Sequence, residues 1–149
     1  MTSAQRLNSP RRVLIVVENL PVPLDRRVRL EATMLSVLNA IDIGVSPDPK
    51  NPMNDISTMN KVMEYMTLEK PLVQFDLTEG RASAGESALY ARANDPEDFA
   101  AKIAWLIDHP AEGVRMGKTG RARVLEQLSW EHSAPVLLAA YDRIFAKHG

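Results

Sequence analysis

The sequence predicts an α/β protein with a mainly parallel sheet of three or four strands and flanking helices. Two observations carry that expectation. VLIVV at 13–17, IDIGVS at 41–46 and LVQFDL at 72–77 are short and largely apolar, the character of strands covered on both faces. Segments with helical periodicity alternate with them, and alternating strands and helices build parallel sheets. The 149 residues, 45% of them hydrophobic and 25% charged, suffice for one domain with a core.

Each element has its own signal. After VLIVV, the stretch ENLPVPLD is broken by two prolines. A helical pattern then spans about 24–40, with Val28, Leu35 and Leu38 on one stripe and Met34 beside them. IDIGVS is followed by the proline-rich loop PDPKNPMND. The next helix carries Met59, Met63 and Met66 at helical spacing, can be capped by Ser57 or Thr58, and is ended by Pro71. After LVQFDL, TEGRASAGES reads as a glycine- and serine-containing loop and ALYAR as a short strand. Asp95-Pro96-Glu97-Asp98 starts a helix to about Asp108, with a cap, a proline at the first position and acids near the positive end of the dipole. Two more helices are expected, from about Ala111 to Leu128 and from a Ser129 cap to about Lys147.

Composition excludes several classes of function. A net charge of −1 without a basic face argues against nucleic-acid binding. The absence of cysteine removes disulfides, thiolate metal sites and a cysteine nucleophile, and fits the cytoplasm. The polar start MTSAQRLNSPRR and the brief apolar run after it fit a loose tail over 1–10, and neither a signal peptide nor a membrane span. No GxGxxG, GxxxxGK[ST] or HExxH occurs, and neither metal nor cofactor is expected. His109, His132 and His148 are scattered, and Trp105 and Trp130 read as packing residues. The run GRARV at 120–124 reads as a solvated helix face.

Open parallel sheets bind ligands beyond the carboxyl ends of their strands, here the loops 18–25, 46–57 and 76–86. Loop 46–57 leads into the helix bearing Lys61 and Glu64. A helix N-terminus suits a phosphate, Lys61 adds a full charge, and Glu64 can accept two hydrogen bonds from a ribose diol. The plainer reading of that pair is an exposed i,i+3 ion pair worth a few tenths of a kcal/mol. Asp48, Asp55 and Asp76 lie in loops at the same edge, as polar site residues or as ordinary turn formers.

Read together, the segments have a family character. KVMEYMTLEKPLVQFD, the strand ALYA, the start NDPEDF, the run MGKTGR and the run SWEH occur in that order. They resemble the C-terminal half of the donor domain of GT-B retaining glycosyltransferases of the glycogen-synthase-like group, family 4, which shows a K-x-x-E-Y-M block, an N/G-D-P helix start, an M-G-x-x-G-R helix and an S-W-E helix. RRVLIVVENLPVPLDRRVRLEAT at 11–33 looks like the first strand, loop and helix of the same family's acceptor domain. The resemblance implies a Rossmann-like partial donor domain over 36–149 joined to an acceptor-domain remnant over 11–35, with the middle of the family's architecture missing.

It also implies a nucleotide-sugar donor, an acceptor that the sequence does not name, and transfer with retention, impaired in this short chain alone. Glu64 takes the place of the second acid of the family's E-x(7)-E motif, the ribose ligand, and Lys61 that of its K-x-x-E lysine. The first acid falls at Ile56, with Asp55 next to it as a substitute. Ser57 and Asn60 complete the candidate donor-binding set. Glu69 stands where the family has a helix-ending glycine. A former domain interface left exposed would favour self-association. Two other readings stay open: a non-catalytic nucleotide-binding or interaction remnant, and an unrelated small α/β domain.

Overall fold

The computed structural model describes residues 13–15, as backbone, and 40–146. The helix expected at 24–40 lies outside the described residues except for its last one. Four parallel strands lie side by side in sequence order: β1 (Val13–Ile15), β2 (Ile43–Ser46), β3 (Leu72–Phe75) and β4 (Ala88–Ala91). Gly44 pairs with Leu72 and Leu72 with Ala88, so alternate residues of each strand share a face.

The connections β2–α1–β3 and β3–α2–β4 run through α1 (Asn60–Thr67) and α2 (Thr78–Ala84). Right-handed crossovers between strands laid in order put both helices on one face. One core cluster gathers there, with Val62, Tyr65 and Met66 of α1 and Ala84 of α2 against Leu72 and Ala88. Ile43, Val45, Val73, Phe75 and Ala91 face the other way. They are covered by α3 (Pro96–Asp108) through Phe99 and Leu106. Phe99 meets Phe75 edge-on at 4.9 Å. Tyr65 lies flat over Gly44, where a Cβ would come within 2.5 Å of its ring, so α1 sits lower on the sheet than any side chain at 44 would allow.

The next helix, α4 (Pro110–Arg123), crosses the amino edge of the sheet and belongs to both sides. Met116 enters the cluster under α3. Gly113 faces Pro71, Gly117 faces the Glu69 carbonyl, and Gly120 faces Ser87 and Met66. These glycines, four and three residues apart, make a smooth stripe along one side of α4. The arginines of the same helix reach across to its neighbours. Arg121 donates to the Thr67 carbonyl at the end of α1 (3.0 Å), and Arg123 donates to the Ala82 and Ser83 carbonyls at the end of α2 (2.7 and 2.9 Å). Cations there satisfy orphan carbonyls and oppose the negative end of each helix dipole. The GRARV run is therefore a set of helix-end clamps, and the expectation of a merely solvated face is corrected.

Three further local readings change. TEGRASAGES is not a loop: it forms α2 and a 3-10 turn over Gly85–Ser87. Neither Ser57 nor Thr58 caps α1, whose N-cap is Met59 with no side-chain bond. Thr58 donates instead to Glu79 (2.8 Å). The helix expected to Leu128 stops at Arg123 and widens into a π-turn over Val124–Leu128, closed by Ser129 N–H donating to Val124 O at 2.8 Å. Asp95 caps α3 as expected, accepting from the amides of Glu97 and Asp98 at 3.0 Å each. The last helix, α5 (Trp130–Phe145), buries none of its residues. Among the described residues no helix is long and apolar enough to cross a membrane.

Glu69 shows how the fold overrides local preference. It stands two residues past the end of α1, after the C-cap Leu68, with φ of 56°. Its N–H donates to Met66 O and that of Lys70 to Tyr65 O, the paired bonds of a Schellman helix end. A glycine fits this conformation without a Cβ penalty. Glu69→Gly is expected to raise the unfolding free energy by about 1 kcal/mol in urea titration, whereas an equal or lower stability would show that the Glu69 side chain matters more than its backbone strain. Gly117→Ala has the opposite sign. Its Cβ would lie 2.0 Å from the Glu69 carbonyl oxygen, so a loss of about 2–4 kcal/mol is expected despite alanine's better helix propensity. A neutral result would mean that α4 can lift off the 69–71 turn at little cost.

Candidate functional site

The carboxyl ends of β2, β3 and β4 open onto one edge, opposite α4. Ser46 closes β2, and its hydroxyl donates to Asp48. Asp48 also accepts from Lys61 Nζ, at 3.0 Å to Oδ1 and 2.9 Å to Oδ2. The Lys61 side chain is only 5% exposed and that of Asp48 22%. The lysine expected to meet phosphate thus sits in the first turn of α1 as half of a largely buried ion pair with the loop after β2. Glu64 follows one turn later on α1, half-buried, with Oε2 shut off from solvent. Asn60 begins the helix and is exposed.

The other candidates serve the scaffold. Asp55 accepts from the Thr78 amide at 2.9 Å and its hydroxyl at 3.0 Å, and pairs with Lys50 at 3.4 Å. It thereby caps α2 from 23 residues away, which is why a segment without its own cap is helical. The Thr78 amide, above all, holds the Asp55 carboxyl below the ordinary carboxylate range. Ser57 Oγ donates to Met53 O at 2.6 Å and so closes the 3-10 turn over Asn54–Ile56. Ile56, where the family's first acid would stand, is 77% exposed. The loop is pinned to the far side of the edge as well, by Lys50 N–H donating to Asn94 Oδ1 at 2.7 Å.

A second polar group lies beyond β3. Asp76 accepts from both Nε and Nη2 of Arg81, the latter at 2.9 Å. That guanidinium stacks over the Tyr90 ring at 4.2 Å. The hydrogen bonds from Arg81 hold Asp76 below the usual carboxylate range, while burial pushes the Tyr90 phenol up. Asp76 was visible as an edge aspartate. Arg81 was not, because it lies in the stretch read as loop, and nothing local marks that stretch as a helix. Among the described residues no three His, Cys, Asp or Glu gather as a metal site.

The edge therefore brings Lys61, Glu64, Asn60 and Asp48 together on and beside the start of α1, while Asp55 and Ser57 are committed to neighbouring turns. Comparison with known proteins agrees with the fold. The family model described as "Glycosyl transferases group 1" matches residues 17–109, well over half of the chain. This chain belongs to that family. The match includes the whole Lys61/Glu64 helix and begins inside the 11–35 segment. A curated relative, an MMP alpha-(1->4)-mannosyltransferase of Mycolicibacterium hassiacum, is 33% identical over 63 residues, 42% of this chain and 15% of the relative. Among solved structures, a sucrose-phosphate synthase of Thermosynechococcus elongatus superposes with a TM-score of 0.64 at 19% identity, over 97% of this chain and 41% of that one. The chain thus spans well under half the length of both. The likeness to the synthase establishes the fold, a GT-B-like α/β sheet.

The ion pair sets the test of this edge. Removing one partner leaves a buried charge uncompensated. Asp48→Ala is expected to cost about 3–5 kcal/mol in chemical unfolding, and Asp48→Ala with Lys61→Met to regain much of that loss. A single-mutant cost below about 1 kcal/mol would class the pair with surface bridges and deny it a role in placing the loop.

Proposed function

We propose that this chain carries the donor side of a retaining glycosyl transfer and that, alone, it binds the nucleotide of a nucleotide-sugar better than it completes transfer. The observation that carries this reading is the position of Lys61 and Glu64. Both lie on the helix that opens at the carboxyl edge of the sheet, within the span matched to the glycosyltransferase family. Glu64 would hold the ribose diol. The amide end of α1 and Lys61 would face the diphosphate, which has to share the lysine with Asp48. Catalysis of this kind depends on positioning the donor and stabilising the departing diphosphate within a closed cleft. One wall of that cleft is the acceptor domain, of which the chain would carry only the 11–35 segment. A mannosyltransferase among the relatives supports hexosyl transfer as the reaction class. The acceptor is a separate molecule, and the cysteine-free composition fits a cytoplasmic setting.

The second reading is a non-catalytic nucleotide-binding remnant. It is favoured by the commitment of Asp55 and Ser57 to scaffold bonds. Isothermal titration of the purified chain with UDP, GDP and ADP decides first whether either holds. Binding of one nucleotide, weakened at least about tenfold by Glu64→Ala, or about 1.4 kcal/mol, is the expected result. Transfer from the matching sugar donor then separates the enzyme from the remnant. No heat from any nucleotide up to about 1 mM, a binding energy weaker than about −4 kcal/mol, would end both.

A further inference from the structure

The loop between β2 and α1 is built around one exposed residue, Lys50. Asn54 Nδ2 donates to Pro49 O at 2.8 Å, and Asn51 Oδ1 accepts from the amides of Met53 and Asn54 at 3.0 and 2.8 Å. The Asp55 amide donates to Asn51 O at 2.9 Å. Residues 49–55 therefore form one compact turn, and a hold on Lys50 is a hold on all of it.

That hold comes from Asn94, 44 residues later. Lys50 N–H donates to Asn94 Oδ1 at 2.7 Å, and Asn94 Nδ2 donates to Lys50 O at 3.3 Å. The side-chain amide thus engages both backbone groups of one residue, as a neighbouring strand would. Asn94 stands between β4 and the α3 cap Asp95 with φ of 62°, a left-handed conformation that glycine and asparagine adopt most readily. Glycine would meet that backbone requirement and leave Lys50 unheld. The asparagine side chain therefore answers to the loop, and not to the turn in which it sits.

The loop's other anchors are charged and lie toward α1 and α2. Asp48 is tied to Lys61, and Asp55 to the Thr78 amide and to Lys50. A diphosphate that draws on Lys61 competes with Asp48 for it and so loosens that first tie. The Asn94 clasp is neutral and joins the loop to the start of α3, outside that competition. We propose that Asn94 is a positioning residue of the nucleotide edge, holding loop 46–57 through the Lys50 backbone while the ligand shares Lys61. The inference rests on the nucleotide reading of that edge.

The test compares the wild-type chain with Asn94→Gly and Asn94→Asp by titration with UDP, GDP and ADP, by amide hydrogen exchange and by urea unfolding. Asn94→Gly removes the clasp and keeps the backbone conformation. Its urea midpoint should stay close to that of the wild type, because the loop opens locally without unfolding the sheet. The amides of Lys50, Met53, Asn54 and Asp55 should exchange at least about fivefold faster, and those of β2 and β3 at the wild-type rate. The Kd for the nucleotide should rise about 3–10-fold, the contribution of one or two exposed hydrogen bonds. Asn94→Asp keeps an acceptor for the Lys50 amide and should retain most of the affinity. A faster loop with an unchanged Kd overturns the proposal, and so does a loop whose exchange does not change. A lower urea midpoint with faster exchange throughout the sheet also overturns it, since Asn94 would then serve the fold as a whole. A wild type that binds no nucleotide ends the reading of the edge and the role of Asn94 in it, and is told apart from a failure of the clasp by the wild-type titration alone.

Discussion

The contact on which this fold rests is the approach of α4 to the turn between α1 and β3. The chain at 69–71 must reverse from the end of a helix into a central strand. It does so with Glu69 in a left-handed conformation and its carbonyl turned onto α4. Only a helix that is bare at that point can lie so close, and Gly117 provides the bare point. From this one contact, Gly113 is set on Pro71 and Gly120 on Ser87 and Met66, while Arg121 and Arg123 come within reach of the ends of α1 and α2. The amino edge of the sheet is thus closed by a single helix that binds both crossover helices from below. The strain at Glu69 is tolerated because the surrounding contacts leave that turn no other course.

Much of the family's sequence signature serves this scaffold. Tyr65 of the K-x-x-E-Y-M block lies over Gly44, and Met66 fills the core beneath α4. Lys70 donates to Ile41 O at 2.8 Å and ties the turn to the start of β2. The M-G-x-x-G-R run supplies the smooth stripe and one of the helix-end clamps, and Asp95-Pro96 starts the helix on the other face. The residues with chemistry to offer a ligand are fewer and lie at the opposite edge. There the loop after β2 is tied to α1 by Asp48–Lys61, to α2 by Asp55 and to the turn before α3 through Asn94. These ties fix the loop's position, and with it the approach to the start of α1. They also occupy polar groups that a ligand would otherwise meet, so binding at this edge has to compete with existing bonds.

The sequence by itself determined what depends on neighbours along the chain. The short apolar runs gave the strands, because burial on both faces leaves no polar alternation. The Asp95-Pro96 cap gave a helix start, because its bonds reach only two and three residues ahead. Those signals, with the alternation of strand and helix, fix a parallel α/β sheet, and the edge where Lys61 and Glu64 lie follows from it. What tertiary structure alone decided are features whose partners are far away in sequence. Thr78–Ala84 has no helical period of its own, and it is helical because Asp55 caps one end and Arg123 holds the other. Glu69 can stand in a glycine's place because α4 and the Schellman bonds confine it. Lys61, read as a phosphate-side charge or as half of an exposed ion pair with Glu64, is buried because Asp48, thirteen residues earlier, is folded onto it. Bonds of this kind depend on which surfaces packing brings together, and no local pattern records that.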